Sequence, residues 1–171
     1  MIDNDVKLYA FCSPHNPGGR VWTKEELSRV ADLCRKHHVI LVSDEIHQDL
    51  VLFGHQHHSI NTVGDYSDFA VILTSATKTF NIAGTKNAFA IIENPILKKQ
   101  FRDRQLANNQ HEISTLGLIA TETALTYGQP WLEELKQVLE ENITYLIDYF
   151  AEHAPGIKVM KPEGSYLVWL D

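Results

Sequence analysis

The sequence predicts an α/β fold, on three observations. Three apolar runs of strand length, Leu8-Tyr9-Ala10-Phe11-Cys12, Val39-Ile40-Leu41-Val42 and Ala70-Val71-Ile72-Leu73, each give way to polar residues at their carboxyl ends. Between the first two runs lies a capped helical pattern, which makes a strand, a crossover helix and a parallel strand. Beyond Pro95 the apolar period turns helical for long stretches.

Taken in order, Val6 to Cys12 reads as a strand, closed by the turn residues Ser13 to Gly19. Thr23-Lys24-Glu25-Glu26 has capping-box spacing. Leu27, Val30, Ala31 and Cys34 then recur at helical intervals, and the helix should end near His37 or His38. Val39 to Val42 is uninterrupted, as expected of a strand buried on both faces. Val71 to Thr74 and Ala88 to Ile92 read as further buried strands. Helices are expected over Pro95 to about Ala107, Ile113 to about Tyr127 and Trp131 to about His153. The second should present Leu116, Ile119, Ala120, Thr123 and Ala124 as its stripe. The third should present Leu132, Leu135, Val138, Leu139, Ile143, Leu146, Ile147 and Phe150. Ala154-Pro155-Gly156 stops it, and short strands follow over Ile157–Met160 and Tyr166–Leu170. A boundary near Gly128 to Asn142 divides residues 1–130, part of a large α/β domain, from residues 131–171, a long helix leading into a small α+β part.

Composition narrows the function. Hydrophobic residues at 44% and charged residues at 22% belong to a globular protein. A net charge of −7 argues against a general nucleic-acid or anionic-membrane surface. No run is long and apolar enough to span a membrane, and Met1-Ile2-Asp3-Asn4-Asp5 has no signal-peptide character. Two cysteines do not make a disulfide framework, so a cytoplasmic setting is expected.

The chemistry sits at the strand ends, where open α/β sheets bind ligands. The first run leads into Asn16, the second into Asp44 and His47, and the third into Ser75 and Lys78. A lysine, an aspartate and an asparagine gathered there suit pyridoxal phosphate. The stretches Ser13 to Trp22, Ser43 to His47 and Ser75 to Gly84 resemble the fold-type I pyridoxal-phosphate enzymes of the aminotransferase class I/II superfamily. Within it the chain looks most like the C–S lyase branch, the cystathionine β-lyases of the MalY/PatB type.

The resemblance implies roles. Lys78 would form a Schiff base with the cofactor and act as base at the substrate Cα. Asp44 would pair with the pyridine nitrogen, and Asn16 would donate to the phenolic oxygen. His47 stands where many aminotransferases have a tyrosine, a departure that matches the lyase branch. Ser75 would hold the phosphate, and so would Lys86, which stands eight residues after Lys78 where many relatives have an arginine. The expected reaction is β-elimination from a cystathionine-like sulfur amino acid to thiol, pyruvate and ammonia. An aminotransferase is the near alternative, because it shares all these residues.

Other readings are weaker. Ser75-x-x-Lys78 fits a serine β-lactamase pattern, but Ser-Asp-Asn and Lys-Thr-Gly partners do not occur. His55-x-His57-His58 lacks a ligand-spaced partner, so it reads as a solvated loop, and no metal site is expected. Glu45 reads as structural. Members of the family are much longer and work as homodimers. The chain is therefore expected to be a central-to-C-terminal fragment, inactive alone and prone to self-association.

Overall fold

The computed structural model describes residues 4–171. Of the acidic N-terminal segment, Met1–Asp3 lie outside the described residues. Four strands form one sheet in chain order: β1 (Leu8–Cys12), β2 (Ile40–Asp44), β3 (Ala70–Thr74) and β4 (Phe89–Ile92). The first three are parallel, and β4 runs antiparallel to β3. Helix α1 (Lys24–Lys36) makes the crossover from β1 to β2.

Local sequence explains α1. The Thr23 side chain accepts from the Glu26 N–H, and the Glu26 carboxylate accepts from the Thr23 N–H. Leu27, Ala31 and Cys34, one face of the helix, are buried against Phe11, Leu41, Ile60 and Ile72 of the core. A leucine buried as fully as Leu27 or Leu41 contributes about 1.5–3 kcal/mol. The other face of the sheet is less covered than the apolar runs predict. In β2 only alternate residues, Leu41 and Ser43, are fully buried, and β4 is exposed except at Ile92. An apolar run specifies surface able to be buried: Val71 and Ile92, paired in register, are buried on the face away from α1, while Phe89 and Ile91 of the edge strand stay exposed.

The chain then becomes helical. A four-residue helix, α2 (Ala76–Thr79), follows β3. Next come α3 (Pro95–Ala107), α4 (Thr115–Tyr127) and α5 (Gln129–His153). Asn94 caps α3 with its side chain, ahead of Pro95 in the first turn. Helix α5 faces the body with Leu132 and Ile143, as its period predicts. Helix α4 does not obey its pattern. Its buried residues are Gly117 and Thr121, while Leu116 and Ile119 are exposed. Polar anchoring decides this, because the Asn87 side chain donates to the Gly117 carbonyl and to Thr121 Oγ1. The chain ends in a small antiparallel pair, β5 (Val159–Met160) and β6 (Trp169–Leu170), shorter than expected. No helix among the described residues is long and apolar enough to cross a membrane.

Candidate active site

Strand register sets the site. Cys12, Asp44 and Leu73 stand side by side at the carboxyl edges of β1, β2 and β3. The ladder runs one step further, with the Ser13 N–H donating to the Asp44 carbonyl at 2.9 Å and the Glu45 N–H to the Leu73 carbonyl at 2.8 Å. Three loops therefore leave the sheet at one edge.

The first loop carries Asn16. It is closed by hydrogen bonds from the His15 N–H to the Arg20 carbonyl and from the Gly19 N–H to the His15 carbonyl. The Trp22 indole N–H ties its far side to the Cys12 carbonyl at 3.0 Å. Gly19 is required twice over. Its φ is +69°, and a Cβ there would lie 2.4 Å from Pro162 Cβ. Asn16 itself is exposed, and its Nδ2 lies 3.4 Å from His47 Nε2.

The second loop carries Asp44, Glu45 and His47. Asp44 is half-buried, and its Oδ1 accepts from the Ile46 N–H at 3.2 Å. His47 is buried, which lowers its pKa; the nearby Lys78 charge pushes the same way and Asp44 opposes. Burial and Lys78 thus favour the neutral ring; facing the Asn16 amide nitrogen, a neutral ring accepts through Nε2 and carries its proton on Nδ1. That Nδ1 is buried without a partner among the described residues.

Glu45 is fully buried. Burial alone would push its carboxyl up, but hydrogen bonds from His57, the Ile60 N–H, Ser59 and Ser43 outweigh burial and hold it below the usual carboxylate range. His57 Nε2 lies 3.2 Å from Glu45 Oε2, and its side chain is only 12% exposed. The expectation of a solvated histidine loop therefore fails at His57, which turns inward to a buried carboxylate. Among the described residues no group of three His, Cys, Asp or Glu side chains is arranged to hold a metal.

The third loop is α2, which carries Lys78. Ser75 caps this helix by accepting from the Thr77 N–H, and Thr79 Oγ1 donates to Asp49 Oδ2 at 2.9 Å. The second contact ties the helix to the turn that carries His47. Lys78 is half-buried, and among the described residues no carboxylate lies within ion-pair distance of it.

Asn16, Asp44, His47 and Lys78 thus share one edge: Asn16 reaches His47, and the charges of Asp44 and Lys78 both act on it. Ser75 and Lys86 are placed differently. The Ser75 hydroxyl is buried and donates to the Asn87 carbonyl at 2.5 Å. Lys86 is exposed and lines a separate cleft of about 610 Å³ with Lys98, Phe101 and Arg102. Sequence reasoning missed Tyr166, whose ring centroid is 5.3 Å from that of His47, and the ion pair of Arg20 with Glu163. No local pattern marks either, because their partners lie more than a hundred residues away.

The chain matches the family described as aminotransferase class I and II over residues 2–171. It is 38% identical to cystathionine beta-lyase PatB of Bacillus subtilis (strain 168), a match covering 100% of this chain and 44% of the relative. It is 39% identical to the protein MalY of Escherichia coli (strain K12), covering 98% and 43%. The fold superposes on cystalysin from Treponema denticola, a structure containing a pyridoxal 5'-phosphate cofactor, with a TM-score of 0.94 at 36% identity, covering 99% of this chain and 44% of that one. The chain spans less than half the length of the relatives it matches.

Proposed function

The chain belongs to the aminotransferase class I and II family, and from that premise we propose that it carries the cofactor-binding part of a pyridoxal-phosphate-dependent C–S β-lyase. The observation that carries this reading is the shared edge. An amine, a carboxylate, an amide and a neutral imidazole converge there, each with hydrogen-bonding capacity unspent. That donor set fits the aldehyde, ring nitrogen and phenolic oxygen of the cofactor. The fit at the phosphate is poorer. Ser75 reaches a phosphate only by releasing the Asn87 carbonyl, and Lys86 contributes charge from the neighbouring cleft.

Bound at this edge, the cofactor would supply an aldehyde for the substrate amine and a cationic ring as electron sink. Lys78 Nζ is the base that removes the Cα proton. The Asp44 carboxylate would hold a proton at the ring nitrogen, and the Ile46 N–H that it accepts fixes its orientation. Asn16 would donate an N–H to the phenolic oxygen, with His47 beside the amide nitrogen at 3.4 Å. The overall reaction consumes one water and releases a thiol, pyruvate and ammonia from a cystathionine-like amino acid. Division of the chain near residue 130, a homodimer and a cytoplasmic location belong to the same proposal.

The test uses the full-length protein given pyridoxal phosphate. Visible absorbance should appear, borohydride should fix the cofactor on Lys78, and cystathionine should yield pyruvate and free thiol. Labelling at another lysine overturns the site. Amino transfer to a 2-oxo acid without pyruvate overturns the lyase in favour of an aminotransferase.

A further inference from the structure

The turn between β5 and β6 is fastened to the candidate site far more firmly than a connecting loop requires. The Glu163 carboxylate accepts two hydrogen bonds from Arg20 Nη1, at 2.8 and 2.6 Å, and one from the Val21 N–H at 2.8 Å. Arg20 Nη2 reaches both Glu26 oxygens at 3.1 Å, so the guanidinium is gripped on both sides. The Glu163 and Gly164 N–H groups both donate to the Gly19 carbonyl, at 2.9 and 3.0 Å. The Leu52 N–H donates to the Glu163 carbonyl, and the Ser165 N–H to the Leu50 carbonyl. Three consecutive residues are thus stapled between the Asn16 loop and the segment that follows His47.

The staple sets a direction. Ser165 is fully buried at φ +71°, a left-handed conformation that a serine adopts only when its surroundings impose it. The next residue is Tyr166. Its ring lies 5.3 Å from the His47 ring, tilted by 48°, and the residue is 40% exposed. His47 in turn meets Asn16 through Nε2.

We infer that Tyr166 is a positioning residue: held by the Glu163–Arg20 latch, it seals the His47 ring from water and so keeps Nε2 available to accept from the Asn16 amide. The chemistry is simple. A protonated imidazole donates from both nitrogens. It would turn the Asn16 amide over, presenting its oxygen to His47 and its N–H groups elsewhere. The groups bearing on His47 are Asp44, which favours the charge, Lys78, which opposes it, and the covering ring of Tyr166. Removing the ring lets water in and lifts the penalty on the charged form. The inference rests on this edge being the functional site, yet its readout needs no cofactor.

The experiment follows His47 ring resonances against pH in the intact protein without cofactor, for the parent, Tyr166→Phe, Tyr166→Ala and Glu163→Gln. Tyr166→Phe should titrate as the parent does. Tyr166→Ala should move the His47 midpoint up, toward the ordinary histidine value. Glu163→Gln should move it the same way by less, from the far side of the latch. Should Tyr166→Ala fail to fold, Tyr166→Leu and Glu163→Gln carry the comparison. An unmoved His47 in a folded Tyr166→Ala, or a Tyr166→Phe as perturbed as Tyr166→Ala, overturns the inference. Absence of cofactor labelling at Lys78 would instead overturn the proposed function and leave the titration standing.

Discussion

The carboxyl edge of the sheet and the α3–α4 flank are built on opposite terms. At the edge, apolar side chains such as Leu27, Leu41, Leu50 and Ile60 have no exposed surface, and buried polar groups such as Glu45 and Ser75 are hydrogen-bonded. On the flank, Leu116 is 76% exposed and Ile96 67%, while the anchoring contacts are polar, Asn87 to Gly117 and Thr121. The difference separates two kinds of information. The placing of Asn16, Asp44 and Lys78 at the edge comes from strand ends and the short loops after them, which the local sequence marks. Burial on the flank depends on what lies against it, and helical periodicity carries no record of that.

The largest effect should come from the edge. Lys78→Ala in the full-length protein should abolish cofactor labelling and cut turnover by at least about 10²–10⁴-fold, the range for a lost proton-transfer group. Asp44→Ala should follow at about 10²–10³-fold, the usual size of one electrostatic partner in a water-poor site. Steady-state kinetics against Leu116→Ser, expected to sit close to the parent, checks both. A Leu116→Ser defect as large as Asp44→Ala would break the contrast.

Stability should show the same asymmetry. Leu41→Ala removes a fully buried side chain under α1 and should cost about 2–5 kcal/mol in chemical denaturation. Leu116→Ala, on the open stripe, should stay within about 0.5 kcal/mol. Equal costs would mean that the flank is covered in solution, for instance by a second copy of the chain. Solution mass at rising concentration would detect that directly.

The same division explains what could be read in advance. Helix α1 was legible to the residue at its start because Thr23 and Glu26 make a reciprocal cap, and α3 because Pro95 opens it. Strands β1 to β3 and the placing of Asn16, Asp44 and Lys78 after them followed from apolar runs with polar ends. Helix α2 was invisible, since four residues carry no period; only the Ser75 cap marks it. The α4 stripe was legible as a pattern and misleading as a prediction of burial. His57 and Tyr166 were misjudged or missed because each is defined by a partner, Glu45 or His47, brought close only by the fold.

The smallest expected effect probes why the edge tolerates a buried carboxylate at all. Glu45 is held below the ordinary carboxylate range because four hydrogen-bonding groups outweigh its burial. A carboxyl more acidic in the folded than the unfolded chain stabilises the fold above its unfolded pKa, and that contribution is lost as pH falls through its folded value. Denaturation midpoints measured downward from pH 6 should therefore decline in the parent below about pH 4.3, the unperturbed value of a glutamate. In Glu45→Gln this part of the slope should be missing. At neutral pH the variant should lose about 1.5–3 kcal/mol, the worth of hydrogen bonds to a charged group. His57→Ala should retain the slope but weaken it, because Ser43, Ser59 and the Ile60 N–H still serve the carboxylate. A Glu45→Gln profile that declines in parallel with the parent would mean that the acid sensitivity lies in other carboxylates, and that the buried Glu45 is no more anchored than the helices of the open flank.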